Sequence, residues 1–153
     1  MQRIRSFSIN HDILKRGMYI SRIDGDVITY DIRMKEPNKG DYLENASMHT
    51  IEHLFATYAR NSKYADKVIY FGPMGCRTGF YFLLRDSVSA QTALDLTRQA
   101  FKFIADFEGE IPGTLPRECG NYREHDLEGA KEEAVEMINV LSSWDDSKMN
   151  YRQ

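Results

Sequence analysis

The chain has 153 residues, of which 42% are hydrophobic and 28% charged, and its formal net charge is −3. These values are typical of a soluble globular protein, and the length suits one domain with a hydrophobic core. Lysine and arginine are scattered rather than clustered, which argues against a nucleic-acid partner or an anionic membrane surface. No apolar run approaches the ~18 residues of a membrane span, and the N-terminus lacks the apolar core of a signal peptide, so we expect a cytoplasmic protein.

Two strands joined by a tight turn are predicted near the start of the chain. Residues 18–23 and 26–34 are rich in β-forming residues, and the Asp-Gly pair between them is a strong hairpin signal. The second strand, DVITYDIRM, alternates apolar and polar side chains, which places Asp31 and Arg33 together on its polar face. This pattern leaves two interpretations open for Arg33: a surface arginine paired with Asp31, or a residue that contacts a substrate.

A helix is predicted next, over residues 47–60, with Asn45 or Ser47 as its N-terminal cap. Its apolar residues recur at helical spacing, which predicts that one side of the helix faces the core. That stripe consists of Met48, Ile51, Leu54, Phe55 and Tyr58.

The rest of the chain alternates β-rich and helical segments. Strands are predicted at residues 67–71 and 79–84 and helices at 89–107 and 126–141, whereas the tail, 142–153, looks peripheral. This order predicts an α+β fold, a two-layer α/β sandwich in which a largely antiparallel four-stranded sheet packs against helices. No linker or internal repeat interrupts the sequence, so we expect a single domain over residues 1–153.

The first predicted helix carries the sequence HTIEH, a possible metal site. Residues four apart lie on one helix face, so His49 and His53 can both direct an imidazole nitrogen at one ion. Glu52 lies at the edge of that face, where it can reach a water or a substrate without being a ligand. The zinc-binding helices of metalloproteases use the same spacing, although two histidines four apart also occur by chance on helix surfaces.

A catalytic metal site usually has three protein ligands and an open position for water or substrate. Cys119 is a good third candidate because a thiolate binds zinc or ferrous iron strongly. Its loop is rich in glycine and proline, and such a backbone can bend to suit a metal. His125 and Glu118 are alternatives that the pattern does not exclude.

The other cysteine, Cys76, lies in the turn MGCRTG between two predicted strands. In a reducing compartment we do not expect it to form a structural disulfide with Cys119. Gly75 and Gly79 permit an unusual backbone there, and Arg77 would favour the thiolate, which could act as a general base. An inert thiol in a hairpin turn explains these residues equally well.

Together, the motifs resemble the S-ribosylhomocysteine lyase family, which makes the precursor of autoinducer-2. The resemblance is carried by HTIEH, PMGCRTGFY and IPGTLPRECGNYREHDLEGAK, with SFSINH and TYDIRMKEPN in front of them. It covers residues 4–141, and several motifs in the right order make it far more specific than the histidine pair alone. Asn10 and the stretch 16–22 depart from the usual family pattern.

The resemblance implies a fold of the LuxS/MPP-like metallohydrolase type and a homodimer with active sites at the subunit interface. It also implies one divalent metal per subunit, ferrous iron in the native enzyme and replaceable by zinc or cobalt. The implied ligands are His49, His53 and Cys119, with water in the fourth place.

Further residues take roles by the same resemblance. Cys76 and Glu52 match the acid/base pair of the family. Ser6, His11 and Arg33 match residues that contact the substrate, some of them reaching in from the partner subunit.

The implied reaction splits S-ribosylhomocysteine into homocysteine and 4,5-dihydroxy-2,3-pentanedione. The ribose carbonyl moves from carbon 1 to carbon 2 and then to carbon 3, through enediolates that a Lewis-acidic metal stabilises. Loss of the proton on carbon 4 then expels the homocysteine thiolate by β-elimination. The family context is the activated methyl cycle and quorum sensing.

Two other functions are compatible with the histidine pair. An inverted-zincin peptidase shares the His-x-x-Glu-His motif, but such enzymes are much longer than this chain. A non-enzymatic domain with a closed structural metal site would require four protein ligands and no metal-bound water.

Overall fold

The structure, a computed structural model, describes residues 1–152, so the last residue of the predicted domain and tail lies outside the described range. Every predicted helix and strand is present, and each boundary lies within one or two residues of its predicted position. In chain order the elements are β1 (Gly17–Asp24), β2 (Val27–Arg33), α1 (Asn45–Arg60), β3 (Val68–Pro73), β4 (Gly79–Arg85), α2 (Ala90–Asp106) and α3 (Leu127–Leu141). Short 3-10 turns occur at Arg5–Phe7, Ala65–Lys67 and Asp146–Lys148.

The four strands form one antiparallel sheet in the order β1-β2-β4-β3. Two hairpins, β1–β2 and β3–β4, meet along the β2–β4 pair, where Arg33 lies opposite Gly79 and Asp31 opposite Tyr81. The helices cover one face of this sheet, and the predicted α+β fold is therefore confirmed. Within the described residues, none of the helices combines the length and the apolar character needed to cross a membrane.

The core lies between the helices and the inner face of the sheet. Phe55 of α1 stacks on Phe71 of β3 at a centroid distance of 3.9 Å and meets Phe82 of β4 edge-on. Full burial of each such ring contributes about 2 kcal/mol through the hydrophobic effect. The predicted apolar stripe of α1 is confirmed, because its central residues are buried and the flanking ones pack against the same core.

Side chains cap the second and third helices but not the first. Ser89 and Asp126 cap α2 and α3 by accepting hydrogen bonds from Thr92 N and Gly129 N. The predicted caps of α1 are wrong, since this helix starts at Asn45 after Glu44, with no side-chain cap. Ser47 lies inside the helix and donates to Asp126 Oδ2 at 3.3 Å, which ties α1 to the start of α3.

The outer face of β2 is buried, and the interpretation of Arg33 as a surface arginine is wrong. Asp31 is fully buried and Arg33 is only 2% exposed. The two do form the expected ion pair, with Arg33 Nη2 2.6 Å from Asp31 Oδ2. Alternation along the strand correctly placed them on one face, but it could not predict that other parts of the chain cover this face.

The C-terminal segment packs against β1, so the prediction of a peripheral tail is wrong. Trp144 Nε1 donates to Met18 O at 2.8 Å, and its ring occupies the space beside Gly17 where a side chain would otherwise lie. Ile20 N donates to Met149 O at 2.7 Å, and Met149 is completely buried. The tail therefore packs along β1 as an integral part of the fold.

The turn between β3 and β4 depends on a close approach of two backbones. A Cβ at Gly79 would lie 2.2 Å from the carbonyl oxygen of Ile32 on β2, whereas a Cβ at Gly75 would meet nothing within 4 Å. The unusual backbone of the turn lies at Arg77, which has φ 61°, rather than at the flanking glycines.

We expect Gly79→Ala to lower the free energy of unfolding by about 3 kcal/mol, because β4 would have to move away from β2. Gly75→Ala is the matched control in the same turn and should change it by no more than about 1 kcal/mol. Urea unfolding measures both. A Gly79→Ala protein as stable as Gly75→Ala would contradict the close packing.

Candidate active site

Helix α1 presents His49 and His53 on the face away from the sheet, and main-chain carbonyls orient both rings. His49 Nδ1 lies 2.8 Å from Glu124 O, and His53 Nδ1 lies 2.8 Å from Pro112 O. A carbonyl oxygen only accepts hydrogen bonds, so each Nδ1 carries the proton and each Nε2 keeps its lone pair. The two imidazoles are thereby prepared as metal ligands through Nε2.

The loop between α2 and α3 brings Cys119 to these histidines. Cys119 Sγ lies 3.4 Å from His49 Nε2, although 70 residues separate them in the sequence. Gly113 allows the loop to pass close to α1, since it has φ 77° and a Cβ there would lie 3.1 Å from His53 Nδ1. Glu118, one of the predicted alternatives, accepts from Leu115 N in a local turn and is not part of the cluster.

His125, the other alternative, does join the cluster. Its ring stacks on that of His49 at a centroid distance of 3.9 Å. Within residues 1–152, the candidate ligand atoms of His49, His53, Cys119 and His125 all lie within 4.8 Å of one another. His125 Nδ1 lies 3.0 Å from Thr50 Oγ1, and its Nε2 is buried with no hydrogen-bond partner among the described residues.

The donor set fits a divalent metal. Zinc–sulfur and zinc–nitrogen bonds of about 2.3 and 2.0 Å around a tetrahedral ion put the two donor atoms about 3.5 Å apart. The 3.4 Å between Cys119 Sγ and His49 Nε2 agrees with that spacing. Two imidazoles and a thiolate suit zinc, ferrous iron and cobalt alike.

Cys76 lies apart from this cluster, in the β3–β4 turn and exposed to solvent. Its Sγ is 3.0 Å from Thr78 Oγ1, and Thr78 Oγ1 in turn accepts from Arg33 Nη1 at 2.8 Å. The neighbouring guanidinium of Arg77 instead donates to Leu43 O, at 3.2 Å. The cation linked to the thiol is therefore Arg33 rather than its neighbour in sequence.

The remaining predicted site residues are spread over the molecule. Glu52 is half-buried on α1, next to His53. Ser6 lines a cavity of about 500 Å³ on the outer face of the sheet, together with Tyr81 and Leu83. His11 Nδ1 lies 2.9 Å from Ile9 O in the N-terminal segment.

The sequence also matches a known family over nearly its whole length. The family model of S-ribosylhomocysteinase (LuxS) covers residues 4–148. The chain belongs to the LuxS family. The S-ribosylhomocysteine lyase of Porphyromonas gingivalis is 49% identical to it over 157 residues, with 99% of each chain covered. That of Clostridium acetobutylicum is 46% identical over 156 residues with the same coverage, and that of Phocaeicola vulgatus is 48% identical, covering 92% of this chain and 91% of the relative.

Two residues beside the His/Cys cluster and Cys76 were not predicted from the sequence. Thr50 holds the ring of His125, and Thr78 connects Arg33 with Cys76. Thr78 lies two residues after Cys76 in the same turn motif, so its proximity to the thiol could have been predicted from the sequence. Thr50 also lies inside HTIEH, but nothing in the sequence pairs it with a residue 75 positions away.

The position of His125 in the cluster predicts how the stability of the protein depends on pH. Burial, reinforced by the charges of His49 and His53, lowers the pKa of His125 to about 4. The unfolded chain therefore binds a proton more readily than the folded one, so the stability of the metal-free protein should fall as the pH drops below about 6.5.

We expect His125→Asn to lose less stability than the wild type between pH 7 and pH 5. Urea unfolding in the presence of a chelator measures the difference. His11→Asn, which changes a histidine outside the cluster, should lose as much stability as the wild type. Equal losses in all three proteins would contradict the geometry described for His125.

Proposed function

We propose that this LuxS family member cleaves the thioether of S-ribosylhomocysteine, giving homocysteine and 4,5-dihydroxy-2,3-pentanedione. The observation that carries the proposal is the convergence of His49, His53 and Cys119, with each imidazole oriented through Nδ1. Relatives that are 46–49% identical over 99% of the chain are S-ribosylhomocysteine lyases. The family and the donor set support the same chemistry.

In the proposed reaction the ribose carbonyl moves twice along the sugar before the carbon–sulfur bond breaks. Each move takes a proton from one carbon, forms an enediolate and returns a proton to the neighbouring carbon. Once the ketone is at carbon 3, removal of the proton at carbon 4 expels the homocysteine thiolate from carbon 5.

His49, His53 and Cys119 hold the divalent metal in this proposal. The metal supplies Lewis acidity, which lowers the energy of negative charge developing on the sugar oxygens. Ferrous iron is the proposed native ion, and zinc or cobalt can replace it. The hydrogen bonds to Glu124 O and Pro112 O keep both imidazoles in place for this task.

Cys76 and Glu52 share the proton transfers in the proposed mechanism. Cys76 is accessible to a substrate, and the Thr78 hydroxyl connects its sulfur to the Arg33 guanidinium. A thiolate in such surroundings can remove a proton from carbon and return it to the next carbon. Glu52 lies on the same helix as the proposed ligands His49 and His53, and its carboxylate can exchange protons with the sugar oxygens or assist the final elimination.

We further propose that two subunits complete each active site. Cys76 is linked to the outer face of the sheet through Thr78 and Arg33, whereas the cluster lies on the helical side. A partner that contributes residues across an interface would bring these parts together. Ser6, His11 and Arg33 are the proposed substrate contacts.

The outer face of the sheet is the proposed dimer interface. The cavity there is lined by Ile4, Tyr70, Tyr81 and Leu83 among others, and Ile4 and Tyr70 are more than half exposed. Large exposed apolar residues that share one face favour a protein partner, and a second copy of this chain is the partner that the proposal requires.

The presence of His125 in the cluster supports a second candidate, a closed structural metal site with four protein ligands. Catalysis distinguishes the two functions, because a closed site has no position for a sugar oxygen.

As for biological context, we propose a cytoplasmic enzyme of the activated methyl cycle whose pentanedione product is the autoinducer-2 precursor.

Cys76→Ala and Cys119→Ala form a matched pair of substitutions that tests the proposed roles. We expect Cys76→Ala to keep its metal and to release homocysteine at least about 100-fold more slowly, since it removes an acid/base group. Cys119→Ala should lose both metal and activity. Thiol titration after incubation with S-ribosylhomocysteine and metal analysis of the purified proteins measure the two effects. Metal-loaded wild type that releases no homocysteine would refute the proposed function.

A charge in the outer-face cavity should break the proposed dimer. We expect Leu83→Asp to sediment as a monomer in analytical ultracentrifugation and to lose activity, because burying an unpaired carboxylate costs several kcal/mol. Val135→Asp is the control, since Val135 is 49% exposed on the helical side, and it should sediment like the wild type. Identical sedimentation of both variants and the wild type would contradict this interface.

A further inference from the structure

A chain of polar groups connects the C-terminal segment with Cys76. Tyr151 donates its hydroxyl proton to Asp31 Oδ2 at 2.6 Å, and Asp31 accepts from Arg33 Nε and Nη2 at 3.1 and 2.6 Å. Arg33 Nη1 donates to Thr78 Oγ1 at 2.8 Å, and Thr78 Oγ1 lies 3.0 Å from Cys76 Sγ. Except for its two ends, the chain is almost completely buried.

The direction of the hydrogen bonds in this chain follows from its chemistry. A guanidinium can only donate, so Thr78 Oγ1 must accept from Arg33. The single hydroxyl proton of Thr78 is then free to point at Cys76 Sγ, 3.0 Å away. A thiolate sulfur accepts such a hydrogen bond, and hydrogen bonds to a charged acceptor are the stronger kind.

The position of Arg33 depends in turn on Asp31 and Tyr151. Asp31 accepts from Nε and Nη2 along one edge of the guanidinium, which leaves Nη1 directed at Thr78. Tyr151 gives the buried carboxylate a further donor, and the ring of Tyr151 stacks on Tyr19 of β1 at 5.0 Å. A buried carboxylate with three donors has little freedom to rotate, so the tail restrains the arginine through it.

We propose that Thr78 and Tyr151 are positioning residues for the Cys76 thiolate. Thr78 donates a hydrogen bond to the sulfur, and Tyr151 keeps Asp31 and Arg33 in the arrangement that directs it. The role of the thiolate in proton transfer rests on the proposed function. The family resemblance gave no role to Thr78 or Tyr151.

The charged and titratable groups around the sulfur come from both neighbouring strands. Arg33 from β2 and Tyr81 from β4 are close enough to interact with the sulfur, and Asp31 pairs with the Arg33 guanidinium. The carboxylate and the phenol do not stabilise a thiolate. Its stabilisation therefore depends on the guanidinium and on the Thr78 hydroxyl.

Alkylation of Cys76 by iodoacetamide tests the inference without using the substrate. Peptide mass spectrometry of the metal-loaded protein separates Cys76 from Cys119. We expect Thr78→Val to slow alkylation of Cys76 about threefold to tenfold at pH 7, because fewer molecules carry the thiolate. At pH 10, well above the ordinary pKa of a cysteine thiol, the rates should converge, and Thr78→Ser should keep the wild-type rate at both values.

Tyr151→Phe tests the role of the tail. It removes only the hydroxyl and should slow alkylation of Cys76 at pH 7 about twofold. Thr97→Val and Tyr30→Phe are the matched controls. The first removes a buried hydroxyl from α2 and the second one from the core side of β2, so both should leave the alkylation rate of Cys76 unchanged. Thr78→Ala replaces the valine variant if that protein does not fold.

A folded Thr78→Val or Thr78→Ala protein that is alkylated at the wild-type rate at pH 7 overturns the inference. So does a slower rate that persists unchanged at pH 10, which indicates blocked access rather than a lost hydrogen bond. Failure of the proposed function has a different signature, since wild-type protein would then release no homocysteine whatever the alkylation rates.

Discussion

The packing of α1 against the sheet is the interaction on which both the core and the candidate site depend. This helix of 16 residues turns Ile51, Leu54 and Phe55 into the core, and its other side carries His49 and His53. A helical repeat of 3.6 residues makes the two faces inseparable, because a rotation that displaced the histidines would also expose the core residues. The burial of a few large side chains therefore fixes the direction of two candidate metal ligands.

The main chain and a few buried polar side chains supply the remaining precision. Carbonyl oxygens of the loop between α2 and α3 orient two imidazoles, and the buried pair of Asp31 and Arg33 organises the surroundings of Cys76. Burying such a pair is costly unless every donor and acceptor is satisfied. Tyr151 and Thr78 help to satisfy this pair, so the C-terminal segment and the β3–β4 turn become coupled through it.

The arrangement divides the proposed chemistry between two sides of the sheet. The proposed metal ligands and Glu52 belong to the helical side, whereas Cys76 is connected to the outer side. Such a division suits an enzyme whose substrate lies between subunits, each of which contributes one part. It is also consistent with the proposed substrate contacts in the N-terminal segment, one of which, Ser6, lines the cavity on the outer face.

The sequence by itself determined the order and type of the helices and strands, because hydrophobic periodicity and turn residues act locally. It also determined His49 and His53 as a candidate pair, since helical spacing alone puts them on one face, and the motifs indicated the family. Only the tertiary structure brought Cys119 and His125 to that pair and excluded Glu118. It also buried Arg33 and made the tail part of the fold. These outcomes depend on contacts between residues tens of positions apart, for which a local pattern carries no information.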